Sequence, residues 1–167
     1  CSSDLPLEVL LTVDEEAGIT GAFGLQAGML NADILINTDS EQEGEIYMGC
    51  AGGVDAEIRL PLEMETVPSG LQAFTLYISG LKGGHSGVNI HLGRGNANKL
   101  LARFMAGHAD ELGIRISDIT GGTLRNAIPR EAQCKFLIPS AHIPLLTQRI
   151  AQYEQILQAE LSQTEPS

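Results

Sequence analysis

Tryptophan is absent from this 167-residue chain, and aromatic residues of all kinds make up only 4%. A core without large rings must be aliphatic, and the 43% hydrophobic content is enough to supply one. Basic residues are scarce as well, with ten Lys and Arg against 21 Asp and Glu and a formal net charge of −11. A phosphate backbone repels such a chain, which excludes nucleic acid as a partner. Anionic membrane surfaces are disfavoured for the same reason. Cysteine is sparse: Cys1, Cys50 and Cys134 are odd in number and far apart. They form neither a disulfide framework nor a zinc-thiolate pattern, and they suit a reducing, cytoplasmic setting. No apolar run approaches the roughly 18 residues a spanning helix needs. No basic start followed by an apolar stretch marks a leader. The chain opens on Cys1 rather than Met, and its first predicted strand begins at Leu7. It therefore reads as an internal piece of a longer protein.

Leu7 to Val13 is short and almost wholly apolar, the pattern of a strand buried on both faces of a parallel sheet. Asp14-Glu15-Glu16 follows directly. Gly18 to Leu30 predicts a helix, Ile34-Leu35-Ile36 a second buried strand, and Asn37-Thr38-Asp39-Ser40-Glu41 a second acidic loop. This order predicts a βαβ unit of an open, mostly parallel α/β sheet. Both acidic clusters then fall just past the carboxyl ends of strands, the edge where such sheets place their sites.

Beyond Gly52-Gly53, read as a hinge, the strand pattern changes from continuous to alternating. Ala56, Ile58 and Leu60 alternate with polar neighbours, as do Phe74, Leu76 and Ile78. Such strands have one wet face and belong in antiparallel sheets. Asn96 to Leu112 has helical spacing, with His108 on its apolar stripe as a packing residue and Gly113 closing it. Ile114 to Ile119 and Ala132 to Ile138 read as strands, and a last helix starts near Pro144, with His142 close to its start. The expected domains are 1–52, part of an open α/β sheet domain, and 53–167, an incomplete ferredoxin-like α+β layer.

Four segments carry candidate chemistry. Asp14-Glu15-Glu16 is either a solvated strand-to-helix turn or a metal ligand beside a general base. Adjacent carboxylates leaving a strand cannot point the same way, so one can hold a metal while its neighbour reaches a bound water. Asp39 is either a turn-capping aspartate or a second ligand. Like charges about 4 Å apart cost on the order of 4 kcal/mol at an effective dielectric of 20. Two such clusters at neighbouring strand ends therefore invite a divalent cation. The four His lie beyond the hinge, so the residues alone give only half a metal site. Gly80-Leu81-Lys82-Gly83-Gly84-His85-Ser86-Gly87 is either a glycine turn with an exposed His or a mobile loop that brings His85 to a cleft. Gly121-Gly122-Thr123-Leu124-Arg125-Asn126-Ala127-Ile128-Pro129 reads by itself as a loop between strands.

Together these segments resemble the co-catalytic zinc peptidases that include carnosinase and the bacterial Xaa-His (aminoacyl-histidine) dipeptidases. The resemblance rests on Leu-Thr-Val-Asp14-Glu15-Glu16-Ala-Gly, Asn-Thr-Asp39-Ser-Glu, Met48-Gly-Cys-Ala-Gly-Gly-Val and the His85 and Asn126 motifs, and it spans nearly the whole chain. It implies Glu15 as general base, and Glu16 and Asp39 as ligands to one zinc each of a pair, with manganese or cobalt as substitutes. It implies His85 polarising the scissile carbonyl, in dimeric relatives for the neighbouring subunit, and Asn126 contacting substrate or oxyanion. The implied activity is hydrolysis of Xaa-His dipeptides by a cytoplasmic homodimer that pairs through its lid domain. The family's other metal ligands, a His and an Asp upstream and a His downstream, are absent, so this stretch alone is expected to be inactive. A related deacylase and a non-catalytic dimerisation module are the rival readings.

Overall fold

The structure is a computed structural model that describes residues 6–15, 18–39, 42–50 and 52–165. The chain divides into two compact units, Cys1–Leu60 and Pro61–Ser167.

The first unit departs from the expected βαβ arrangement. Among its described residues no strand forms at 7–13, 34–36 or 56–60, and the helix expected over 18–30 is reduced to α1, Thr20–Phe23. The reason is lack of cover. A strand buried on both faces needs ladder partners beside it and helices over it. The four-residue α1 buries nothing. Leu7, Leu11 and Ile34 are therefore 85%, 88% and 80% exposed. Side chains join the two segments instead, with the Asn31 amide donating to Glu8 Oε2 at 2.8 Å and Asn31 Nδ2 to Oε1 at 3.1 Å. These bonds hold the Glu8 carboxyl below its ordinary value.

The second unit is a mixed α/β layer. Its elements are β1 (Leu71–Ile78), β2 (Gly84–His85), α2 (Ala97–Leu112), β3 (Arg115–Gly121), β4 (Ala127–Ile128), β5 (Ala132–Pro139) and α3 (Ile143–Leu161). The main sheet runs β1-β5-β3 and is antiparallel throughout. Two strands joined through α2 thus flank a third, the split arrangement the sequence predicts. Ser117 is an extra residue on β3, a bulge between Ile116 and Asp118.

Alternation along β5 decides which face is covered. Ala132, Cys134, Phe136 and Ile138 are buried, and their odd-numbered neighbours are not. That face packs on α2 through Leu101, Phe104, Met105 and Leu112, and on α3 through Leu146. Each large aliphatic or aromatic side chain so buried stabilises the fold by ~1.5–3 kcal/mol. Asn96 caps α2 by accepting from the Lys99 amide at 3.1 Å. Pro144 sits in the first turn of α3, where its missing N–H is harmless. His142 Nδ1 donates to the Leu112 carbonyl at 2.9 Å and ties the two helix ends together. His108 packs against Phe104 at 4.9 Å between ring centroids.

Candidate functional site

In the first unit, Asp14 builds the turn after the expected strand. It takes a left-handed conformation, φ 63°. Its carbonyl accepts from the Gly18 and Ile19 amides at 3.1 and 2.6 Å, and its carboxylate accepts from Thr20 Oγ1 at 2.8 Å. Asp14 is thereby committed to local structure, while Glu15 is exposed. Asp39 is exposed as well, and its amide donates to Asn37 Oδ1 at 2.9 Å in an Asx turn. Glu16 lies outside the described residues. Among the described residues no three His, Cys, Asp or Glu side chains gather into a group that could hold a metal. The carboxylates described here do not by themselves fit a complete metal centre.

In the second unit the segments that carry two of the sequence-predicted residues, His85 and Asn126, do meet. β2 and β4 form a two-stranded antiparallel ladder pairing His85 with Ala127 and Gly84 with Ile128. The Ser86 amide extends it by donating to the Asn126 carbonyl at 2.8 Å. The glycine-rich His85 segment and the Asn126 segment are thus one structural unit, and both residues are exposed on it. A cleft of about 320 Å³ lies beside the ladder, lined by Gly84, Ala127, Ile128, Gly122 and Arg130 among others.

The His85 loop is fixed from several directions. Arg94 Nη1 donates to the Gly83 carbonyl at 2.5 Å. Asn89 Oδ1 accepts from the His85 amide at 2.8 Å, and the Asn89 amide donates to the His85 carbonyl at 3.0 Å. The ring Nδ1 accepts from the Gly87 and Val88 amides at 3.0 and 3.1 Å. Glu165, just past α3, accepts from the Lys82 amide at 2.7 Å and the Gly95 amide at 2.9 Å. It anchors both the start of this loop and the entry to α2. Gly84 has φ +148°, and a Cβ there would stand 2.5 Å from Arg94 Nη1 and 2.8 Å from Asn89 Oδ1. Only glycine lets the backbone pass between these side chains.

Asn89, Arg94 and Glu165 escape a sequence reading. The one available signal is Asn89, four residues after His85, since Asn side chains habitually bond nearby backbone. Glu165 sits in a polar tail far from the loop in sequence, and no local pattern connects them.

The sequence profile of the peptidase dimerisation domain, of the M20 group, matches residues 77–165. The chain is 59% identical over 160 residues to the cytosol non-specific dipeptidase of Escherichia coli (strain K12), covering 96% of this chain and 33% of that protein. The crystal structure of aminoacylhistidine dipeptidase from Vibrio alginolyticus matches with a TM-score of 0.71 at 50% identity, over 93% of this chain and 32% of that one. The chain therefore spans about a third of the length of the relatives it matches.

Proposed function

The chain belongs to the M20 peptidase dimerisation-domain family, and from that premise we propose that the whole protein is a cytoplasmic, homodimeric dipeptidase that cleaves Xaa-His dipeptides. The observation that carries the proposal is the joining of the His85 and Asn126 segments, by the pairing of His85 with Ala127 and the bond from the Ser86 amide to the Asn126 carbonyl, in a unit matching the dimerisation domain of peptidases. Relatives named as dipeptidases support the reaction class. The name of the Vibrio alginolyticus relative, aminoacylhistidine dipeptidase, supports a C-terminal His on the substrate, while that of the Escherichia coli relative, non-specific dipeptidase, points to wider tolerance. Among the described residues no helix is long and apolar enough to cross a membrane.

In this reading Glu15 takes the proton of the attacking water and passes it to the leaving amine, an effect typically worth about 10²–10⁴ in rate. His85 donates a hydrogen bond to the scissile carbonyl oxygen as negative charge grows there, and Asn126 contacts the same end of the substrate. Glu16 and Asp39 would hold a zinc pair together with ligands from elsewhere in the whole protein, with manganese or cobalt as substitutes.

The test uses the full-length protein. Metal analysis, light scattering and a panel of Xaa-His dipeptides, other dipeptides and acyl-amino acids are run together. Two zinc ions per subunit, a dimer and a higher kcat/KM on Xaa-His dipeptides support the proposal. A preference for acyl-amino acids makes the protein a deacylase instead. Absence of both zinc and turnover leaves a dimerisation module. Glu15→Gln should keep zinc and lose turnover, and Asp39→Ala should lower the zinc content; full turnover in Glu15→Gln removes Glu15 as the base.

A further inference from the structure

Two backbone amides, those of Gly87 and Val88, converge on His85 Nδ1 at 3.0 and 3.1 Å. A ring nitrogen that accepts N–H bonds carries no proton, so the imidazole proton sits on Nε2. Nε2 makes no hydrogen bond among the described residues, and His85 is exposed, which leaves Nε2–H free to donate. The amides are aimed by Asn89. Its side-chain oxygen accepts from the His85 amide and its own amide donates to the His85 carbonyl, at 2.8 and 3.0 Å. This reciprocal pair closes both ends of the Ser86–Val88 turn. Asn89 in turn lies against the Gly84 backbone, where a side chain would displace it.

We propose that Asn89 is a positioning residue which, with the Gly87 and Val88 amides, locks His85 as its Nε2–H tautomer and so makes it a dedicated hydrogen-bond donor to a substrate oxygen. The ring cannot then accept a proton at Nε2, and proton transfer is left to another group. The nature of the acceptor rests on the dipeptidase reading; the tautomer and the role of Asn89 rest on the loop geometry alone.

The experiment uses full-length protein labelled with ¹⁵N-histidine, with the His85 signals identified by their loss in His85→Gln. The expected spectrum at neutral pH shows His85 protonated at Nε2 and bare at Nδ1. Asn89→Ala should mix the two tautomers and lower kcat on a dipeptide about 10-fold, because small misplacements of a reacting group are costly. Its KM should stay within about 2-fold, as expected when an interaction made in the transition state is lost. Asn89→Asp keeps the accepting oxygen and should recover most of the rate and the single tautomer. A proton on Nδ1 in the unaltered protein overturns the proposal. So does an Asn89→Ala protein with unchanged tautomer and kcat, or an Asn89→Asp protein no better than Asn89→Ala. If the unaltered protein cleaves no dipeptide, the functional reading fails, while the spectra still decide the tautomer and the role of Asn89.

Discussion

The Ser86 amide donates to the Asn126 carbonyl at 2.8 Å, directly after the pairing of His85 with Ala127. That bond makes the position of the His85 ring depend on the Asn126 segment. Proline at 86 has no N–H to give. On the proposed dipeptidase reading, Ser86→Pro should therefore lower kcat/KM of the full-length protein on a dipeptide by roughly 10²-fold, the scale on which misplaced groups lose rate. The thermal midpoint should hardly move, because the buried core lies on α2, β5 and α3. A large fall in the midpoint would assign Ser86 to overall folding rather than to the site.

Phe104 and Phe136 are the largest fully buried side chains, at 0% and 1% exposure, one on α2 and the other on the central strand. Phe136 also lies 6.1 Å from Phe74 and Phe104 lies 5.4 Å from Tyr153, ring to ring. Truncation to Ala should cost about 3–5 kcal/mol in a denaturant titration of this domain. A loss below about 1 kcal/mol, the usual size for surface changes, would mean that the helices are not seated on the sheet through these rings.

The second unit was legible in sequence because its elements find partners within the same stretch of chain. Alternation at Ala132, Cys134, Phe136 and Ile138 predicts one buried face, and α2 and α3 supply the cover. The first unit was not. Its continuous apolar runs, such as Leu7 to Val13, predict burial on both faces, but periodicity reports a demand for cover and cannot show what meets it. His85 and Asn126 stood out because glycine-rich motifs carry them. The pairing of their segments did not, because β2 and β4 are two residues each, too short for any period. Asn89 and Glu165 act through side-chain bonds to backbone amides, and hydrophobic patterning is blind to those.

Cys134 and Cys50 stand in different surroundings. Cys134 is fully buried beneath α2, and burial together with nearby Asp118 pushes its thiol up from the ordinary value. Cys50 is exposed. Because the thiolate is the nucleophile, a thiol reagent at neutral pH should label Cys50 promptly and Cys134 only after denaturant is added. Mass spectrometry of digested, labelled protein reads both sites. Equal labelling of the two in the native protein would show that the face of β5 is open.

Glu111 and Arg149 join α2 to α3 by a two-pronged ion pair, with Nε to Oε2 at 3.0 Å and Nη2 to Oε1 at 2.5 Å. Hydrogen bonds from Arg149 hold the Glu111 carboxyl below its ordinary value, and His108, 3.5 Å away, acts in the same direction. A carboxyl whose pKa is lowered on folding adds stability above its unfolded value, and that stability disappears as the pH falls through the folded value. The pair is partly exposed, so salt should weaken it and its contribution should be small. The urea midpoint of the unaltered protein should exceed that of Glu111→Gln at neutral pH and low salt. The gap should close as the solution is acidified below the ordinary carboxylate range, and should narrow in high salt. Midpoints that stay the same distance apart at every pH would show that the charge on Glu111 does not bind the helices together.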